Sequence, residues 1–143
     1  MSNIFSHFKT KNWNDQANNL IKDWQERLRL RDWDVSWSFA ADDKSIDSDE
    51  LGHINYKVYA RSAHISLLRP DQYDEDDSKN SDFVFESTIV HELLHLHLAP
   101  IFGADEEESS HQVLLEEQAI EAISRALTAA RRGKIKYRMA QKK

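Results

Sequence analysis

The chain has 143 residues, 40% of them apolar, which fits one compact domain with its own core. It contains no cysteine, so disulfides, a thiolate nucleophile and thiolate metal ligands are all excluded. The net charge is -6, but residues 131–143 hold seven of the 19 Lys and Arg and no acid, which leaves 12 bases against 25 acids elsewhere. This acidic body disfavours a nucleic-acid partner, except through the basic tail.

No apolar stretch approaches the length of a bilayer span, and the polar opening from Met1 to Asn14 lacks the apolar core of a secretion signal. We therefore expect a soluble, cytoplasmic protein with no membrane partner. Acidic runs at 42–50, 71–77 and 105–108 are typical of solvated loops.

The first predicted element is a helix from an Asn14 cap to about Leu30. Its apolar residues recur at helical spacing: Ala17, Leu20, Ile21, Trp24 and Leu28. Three segments then carry apolar side chains at every second position, which predicts strands. These strands are expected at 33–39, 52–60 and 63–67, in a small antiparallel sheet.

Two longer helices complete the predicted order. The first starts near Asp82, after a loop over 70–81, and stops at Pro100, whose ring disfavours helix continuation. The second runs from near Ser109 to about Ala130. The expected fold class is therefore α+β: an N-terminal helix, a three-stranded antiparallel sheet and two helices packed together. One domain should span residues 1–130, followed by a basic tail over 131–143.

The residues that carry chemistry form the sequence His91-Glu92-Leu93-Leu94-His95, inside the first of these two helices. Residues four apart lie one turn apart on one helix face, so both imidazoles can reach the same metal ion. Glu92 lies about 100° around the helix, where it can reach a water on that ion. Plain core histidines are the alternative, but burying these groups without a metal costs on the order of several kcal/mol. The motif predicts a metal site with Glu92 as general base.

A catalytic site of this type needs a third protein ligand and keeps one position for water. The last helix offers three candidates, Glu116, Glu117 and Glu121. Glu116 falls inside an apolar stripe and the other two lie to its side; the stripe consists of Ile120, Ile123 and Leu127. Glu116 is therefore the predicted ligand, and Glu117 and Glu121 stay open.

Other residues near the motif are acids and a third histidine. Asp105 and Glu106 to Glu108 are further ligand candidates, in the loop after Pro100. His97 is two residues past His95 and points to the other side of the helix, so we expect a structural role for it.

The motif and the acids on the next helix resemble the gluzincin clan of zinc metallopeptidases. In that clan an HExxH helix is followed by a ligand Glu, usually with a small residue three positions later, and Ala119 meets this condition for Glu116. The clan often has Asp or Asn four positions after the ligand, where this chain has Ile120. The layout is also similar to the minimal gluzincin-like proteins of phages and bacteria. The resemblance implies bound zinc and peptidase activity on a peptide or protein substrate.

A second resemblance is to the SprT-like metalloproteases, whose third ligand is a His about 15 residues after HExxH. His111 lies 16 residues past His95, but Gln112 stands where that group typically has Gly. Two other classes stay open: a protein with a structural metal, and a catalytically inactive module that binds protein or, through its basic tail, nucleic acid. Glu92 argues against a purely structural metal, since such a site needs no base.

In a peptidase mechanism, zinc polarises the scissile carbonyl and Glu92 passes a proton from water to the leaving amine. Tyr137, Tyr59 and His64 are possible donors to the developing oxyanion. An extended peptide can add to a sheet edge. By resemblance to the clan, that edge would be the segment around Ala63 to Leu67.

Overall fold

The computed structural model describes residues 12–40, 50–102 and 110–133. Within these ranges the chain forms four helices and three strands. In chain order they are α1 (Trp13–Arg27), β1 (Asp34–Phe39), β2 (Gly52–Lys57), β3 (Ser62–Leu67), a 3-10 turn (Pro70–Gln72), α2 (Glu75–Ser78), α3 (Ser81–Phe102) and α4 (Ser110–Arg131). The predicted α+β class is confirmed.

The sheet is mixed, so the prediction of a purely antiparallel sheet is wrong. Its strand order is β1-β3-β2, with β1 parallel and β2 antiparallel to β3. The short turn between β2 and β3 forces that pair to be antiparallel. The longer connection from β1 to β2 leaves the direction of β1 free, and alternation of side chains reports only which face is buried. As a result β3 is the central strand and β2 lies at an edge.

Helix α1 begins two residues earlier than predicted. Asn12, not Asn14, is the N-cap, and its side chain accepts a hydrogen bond from the Asp15 backbone N–H at 3.2 Å. Trp13 thus lies inside the helix, where its ring meets Phe85 of α3 edge to face at 5.4 Å between centroids. This contact docks the start of α1 against α3.

Helix α3 is the centre of the fold and packs against α1, α4 and β2. Its residues 84–90 are all buried, including Phe85, Ile89 and Val90. The helix continues past Pro100, so the predicted stop there is wrong. Pro100 is exposed in the last turn, where the missing N–H removes a hydrogen bond close to the helix end.

The loop predicted over 70–81 contains short helical pieces. Pro70 opens the 3-10 turn, because its fixed φ suits the first helical position. The Asp74 side chain caps α2 by accepting from the Asp77 N–H at 2.8 Å. Aspartates that look like a solvated run in the sequence thus also serve as caps.

The folded body extends beyond residue 130, where the domain was predicted to end. Arg131 and Arg132 form ion pairs with the fully buried Glu86 of α3, and Trp24 of α1 donates to the same carboxylate at 2.8 Å. The first two residues of the predicted tail therefore belong to the domain. Residues 134–143 lie outside the described part of the chain. In the ranges that the structure describes, none of the helices combines the length and apolar character needed to cross a membrane.

Candidate metal centre

His91 and His95 face the same side of α3, one turn apart, as their spacing predicts. Their ring centroids are 5.3 Å apart, and each side chain is 14% exposed. Glu92 is more deeply buried, at 6% exposure. One nitrogen of each imidazole and one oxygen of Glu92 lie within 4.8 Å of one another. These three residues form a group that could hold a metal ion.

Three carboxylates of α4 face the two imidazoles. The Glu117 carboxylate lies between them, with one oxygen 3.0 Å from His91 Nε2 and the other 3.0 Å from His95 Nε2. The Nδ1 atoms on the far side of each ring have partners of their own: Glu121 Oε2 lies 2.8 Å from His91 Nδ1, and Glu116 Oε1 lies 3.3 Å from His95 Nδ1. All four imidazole nitrogens thus face a carboxylate.

The structure brings Glu116 to the site, but not to the position expected of the third ligand. Its partner is the outer nitrogen of His95, whereas Glu117 is the residue between the two Nε2 atoms. The prediction of Glu116 depended on a buried apolar stripe of Ile120, Ile123 and Leu127 on α4, but Ile123 is 48% exposed. The inner face instead carries Ile120, Ser124 and Thr128, which turns Glu117 and Glu121 toward α3.

The charges of the cluster shift its pKa values in a consistent way. Burial alone would lower the pKa of the His91 imidazole, but hydrogen bonds with Glu117 and Glu121 outweigh it and raise that pKa to about 10. Hydrogen bonds with the two histidines hold the pKa of Glu117 well below its usual range. Burial raises the pKa of Glu92. The cluster therefore combines strongly anionic acids with one carboxyl that holds a proton more readily.

The donor set suits a divalent cation with a preference for nitrogen and oxygen ligands. The imidazole nitrogens of His91 and His95 and the oxygen of Glu92 are ligand types that such a cation accepts. Carboxylates on the Nδ1 atoms are common outer partners that fix the ring orientation of ligand histidines. The described residues thus include a group that could hold a metal ion and carboxylates that orient its two imidazoles.

Gly52 allows strand β2 to pass directly over Glu92. A Cβ atom at this position would lie 2.8 Å from Thr88 Cγ2 and 3.4 Å from the Glu92 side chain. The first distance is too short for any side chain, so glycine is required by the close approach of strand and helix. The general-base candidate is in this way covered by the edge of the sheet.

A groove of about 470 Å³ contains the cluster. Its floor is α3, and its walls are β2 and α4. Besides the histidines and acids, its polar lining includes His53, Tyr56, Ser87, Thr88 and Arg125. Arg125 is a groove residue outside the predicted set, although its spacing of four from Glu121 is a recognisable signal for a helical ion pair.

Several predicted candidates do not reach the cluster. His111 is exposed in the first turn of α4 and does not line the groove. Tyr59 is exposed beyond the end of β2, and His64 interacts with Ser36 and Ser38 on the other face of the sheet. His97 has the structural role expected of it, since its Nε2 donates to the Leu28 carbonyl at 2.6 Å.

Other candidates lie outside the described residues. They are Tyr137, Asp105 and Glu106 to Glu108.

No protein-family model, curated protein or solved structure matches this chain.

Proposed function

We propose that the protein is a zinc-dependent peptidase. The observation that carries the proposal is the Glu117 carboxylate between the Nε2 atoms of His91 and His95, next to a buried Glu92 with a raised pKa. His91, His95 and Glu117 would hold the ion and leave a position for water, and Glu92 would supply the base.

His91, His95 and Glu117 would hold the ion. Glu117 takes the place predicted for Glu116. With Glu117 as ligand, an acid stands four positions later, which Glu116 lacks. Four positions after Glu117 stands Glu121, an acid, at 2.8 Å from the outer nitrogen of His91. The residue three positions after Glu117 is Ile120, so this chain departs from the small residue usual in gluzincins.

When bound, zinc supplies a water of lowered pKa and polarises the scissile carbonyl. Glu92 accepts a proton from the attacking water and donates it to the leaving amine. Burial raises the pKa of the Glu92 carboxyl, so Glu92 holds an accepted proton more readily than an exposed glutamate does. Glu121 and Glu116 keep the imidazole rings oriented through their Nδ1 atoms.

The edge that receives the peptide would be β2. The segment Ala63 to Leu67 was expected to serve as this edge, but it forms β3 and has strands on both sides. Strand β2 is paired only with β3 in the described sheet, and Gly52, His53, Ile54 and Tyr56 line the groove. An extended peptide that pairs with β2 would pass over α3 beside Glu92.

The test combines metal analysis with a peptidase screen of the full chain. Wild type is expected to bind one zinc and to cleave members of a mixed peptide library. Glu92→Gln should keep the zinc but lose activity by a factor of about 100 or more, since general-base catalysis contributes about that much.

Glu26→Gln, which changes an exposed acid of α1, is the matched control and should behave as wild type. Loss of zinc from Glu92→Gln would make Glu92 a ligand. Undiminished cleavage by that variant would overturn the mechanism.

A further inference from the structure

Arg125 is the one Lys or Arg among the groove-lining residues that the structure describes. Its side chain is 57% exposed, and its Nε donates to Glu121 Oε1 at 2.7 Å. The other oxygen of Glu121 holds His91 Nδ1 at 2.8 Å. The guanidinium is thus tied through one carboxylate to the metal centre.

The terminal nitrogens of Arg125 make no ion pair within 4 Å with another acid among the described residues. Asp77 of α2 is near enough for the Arg125 charge to act on its carboxylate, but not to pair with it. Two parallel N–H groups on a planar guanidinium match the two oxygens of a carboxylate. Arg125 is held by Glu121 through its Nε, so its terminal nitrogens are well arranged to bind a carboxylate of a ligand.

The charges along the groove confine the attraction for a carboxylate to one end of the α4 wall. Glu116, Glu117 and Glu121 would repel an acidic group over most of the α4 wall, and Arg125 reverses the sign at one end. The Arg125 guanidinium contacts the Glu121 carboxylate. Glu121 lies one helical turn along α4 from Glu117, the proposed ligand, an axial rise of about 6 Å. An extended peptide covers this distance in about two residues.

We propose that Arg125 selects substrates with a carboxylate about two residues from the scissile bond. The inference rests on the proposed peptidase function and adds the substrate class. The carboxylate is either an Asp or Glu side chain or the C-terminus of the peptide, because the guanidinium recognises the same group in both.

The test uses zinc-loaded full-length protein and a peptide series. Glu is exchanged for Gln at each position within three residues of the cleaved bond, and each peptide is made with a free or an amidated C-terminus. Wild type should cleave the peptides with one correctly placed carboxylate about tenfold faster or more than their neutral partners, as expected for a charge-assisted hydrogen bond. Peptides with Gln in place of Glu test recognition of a side-chain carboxylate, and amidated peptides test recognition of the C-terminal carboxylate.

The variant Arg125→Gln should lose this preference, so that the ratio of the rates on charged and neutral peptides falls to about one, while Arg125→Lys should retain part of it. Arg27→Gln is the matched control, since Arg27 forms a similar exposed pair with Asp23 on α1. An equal loss by Arg125→Gln on charged and neutral peptides would mean that Arg125 only positions Glu121. Absence of any preference in wild type would also overturn the inference.

Peptide hydroxamates bind a zinc site without being cleaved, so they distinguish failure of this inference from failure of the peptidase proposal. If no peptide is cleaved, the peptidase proposal fails, and hydroxamates with Glu or Gln in the matched positions then decide the role of Arg125. Tighter binding of the Glu form to wild type, lost in Arg125→Gln, supports carboxylate recognition. Equal affinities overturn it.

Discussion

At the scale of single residues, the metal centre depends on which carboxylate meets which nitrogen. Glu116 and Glu117 are neighbours in the chain, yet they face different atoms. Glu117 reaches both Nε2 atoms, while Glu116 reaches only the outer nitrogen of His95. A step of about 100° around α4 thus separates the proposed third ligand, Glu117, from Glu116, which contacts only the outer side of one ring.

This difference predicts an order of zinc affinities. Glu116→Gln and Glu121→Gln should each weaken zinc binding by about 10- to 100-fold, the usual effect of losing an outer partner. Glu117→Gln should weaken it more than either, because it removes the charge of a direct ligand. Competition with a chromophoric chelator measures all three constants. If Glu116→Gln shows the largest loss, the stripe-based assignment is right and the assignment of Glu117 is wrong.

At the scale of elements, the surroundings of Glu92, the proposed general base, depend on how closely β2 lies on α3. The strand approaches Thr88 and Glu92 at Gly52, where even a methyl group would collide. The buried position of Glu92, and with it the raised pKa, therefore depends on a glycine in another element.

Gly52→Ala should disturb Glu92 and leave the metal ligands in place. We expect the peptidase rate to fall by about 10- to 100-fold, because displacements near 1 Å have effects of this size. Zinc content should stay at the wild-type level, since His91, His95 and Glu117 belong to α3 and α4.

Asn55→Ala, on the exposed face of the same strand, is the control and should retain the rate. Unchanged activity of Gly52→Ala would show that β2 does not support Glu92.

At the scale of the whole molecule, Glu86 connects three helices. This fully buried carboxylate of α3 accepts hydrogen bonds from Trp24 of α1 and from Arg131 and Arg132 at the end of α4. Burial alone would raise the pKa of Glu86, but its hydrogen bonds outweigh that effect and keep the pKa below its usual value of 4.5. The ionised form is therefore the one that stabilises the fold.

Glu86→Gln should lower the free energy of unfolding by about 3 kcal/mol at neutral pH, because it leaves arginine charges without their partner. The sign of the pH dependence follows from the lowered pKa. The stabilisation is present above the unfolded-state pKa near 4.5 and is lost as the pH falls through the lower folded-state pKa.

Urea unfolding between pH 7 and pH 3 measures both effects. Wild type should lose stability over the acidic part of this range, and Glu86→Gln should lose less. Asp23→Asn, which removes an exposed pair with Arg27, should cost less than about 1 kcal/mol. A pH profile of Glu86→Gln that is parallel to that of wild type would contradict this role.

Local patterns were sufficient for the features that depend on neighbours along the chain. Helical spacing predicted that His91 and His95 share a face of α3, and period-two alternation predicted the three strands. These patterns are reliable because the geometry of a helix or strand fixes the direction of a side chain relative to its own element.

The remaining features depend on how the elements pack against one another. The direction of β1, the central position of β3 and the inward rotation of α4 have no local cause in the sequence. An apolar stripe normally identifies the buried side of a helix. On α4 that side carries Ile120 together with the small polar side chains of Ser124 and Thr128, and acids of α4 pair with His91 and His95. Packing and ion pairing between elements therefore place Glu117 opposite the two histidines, a result that neither helix encodes alone.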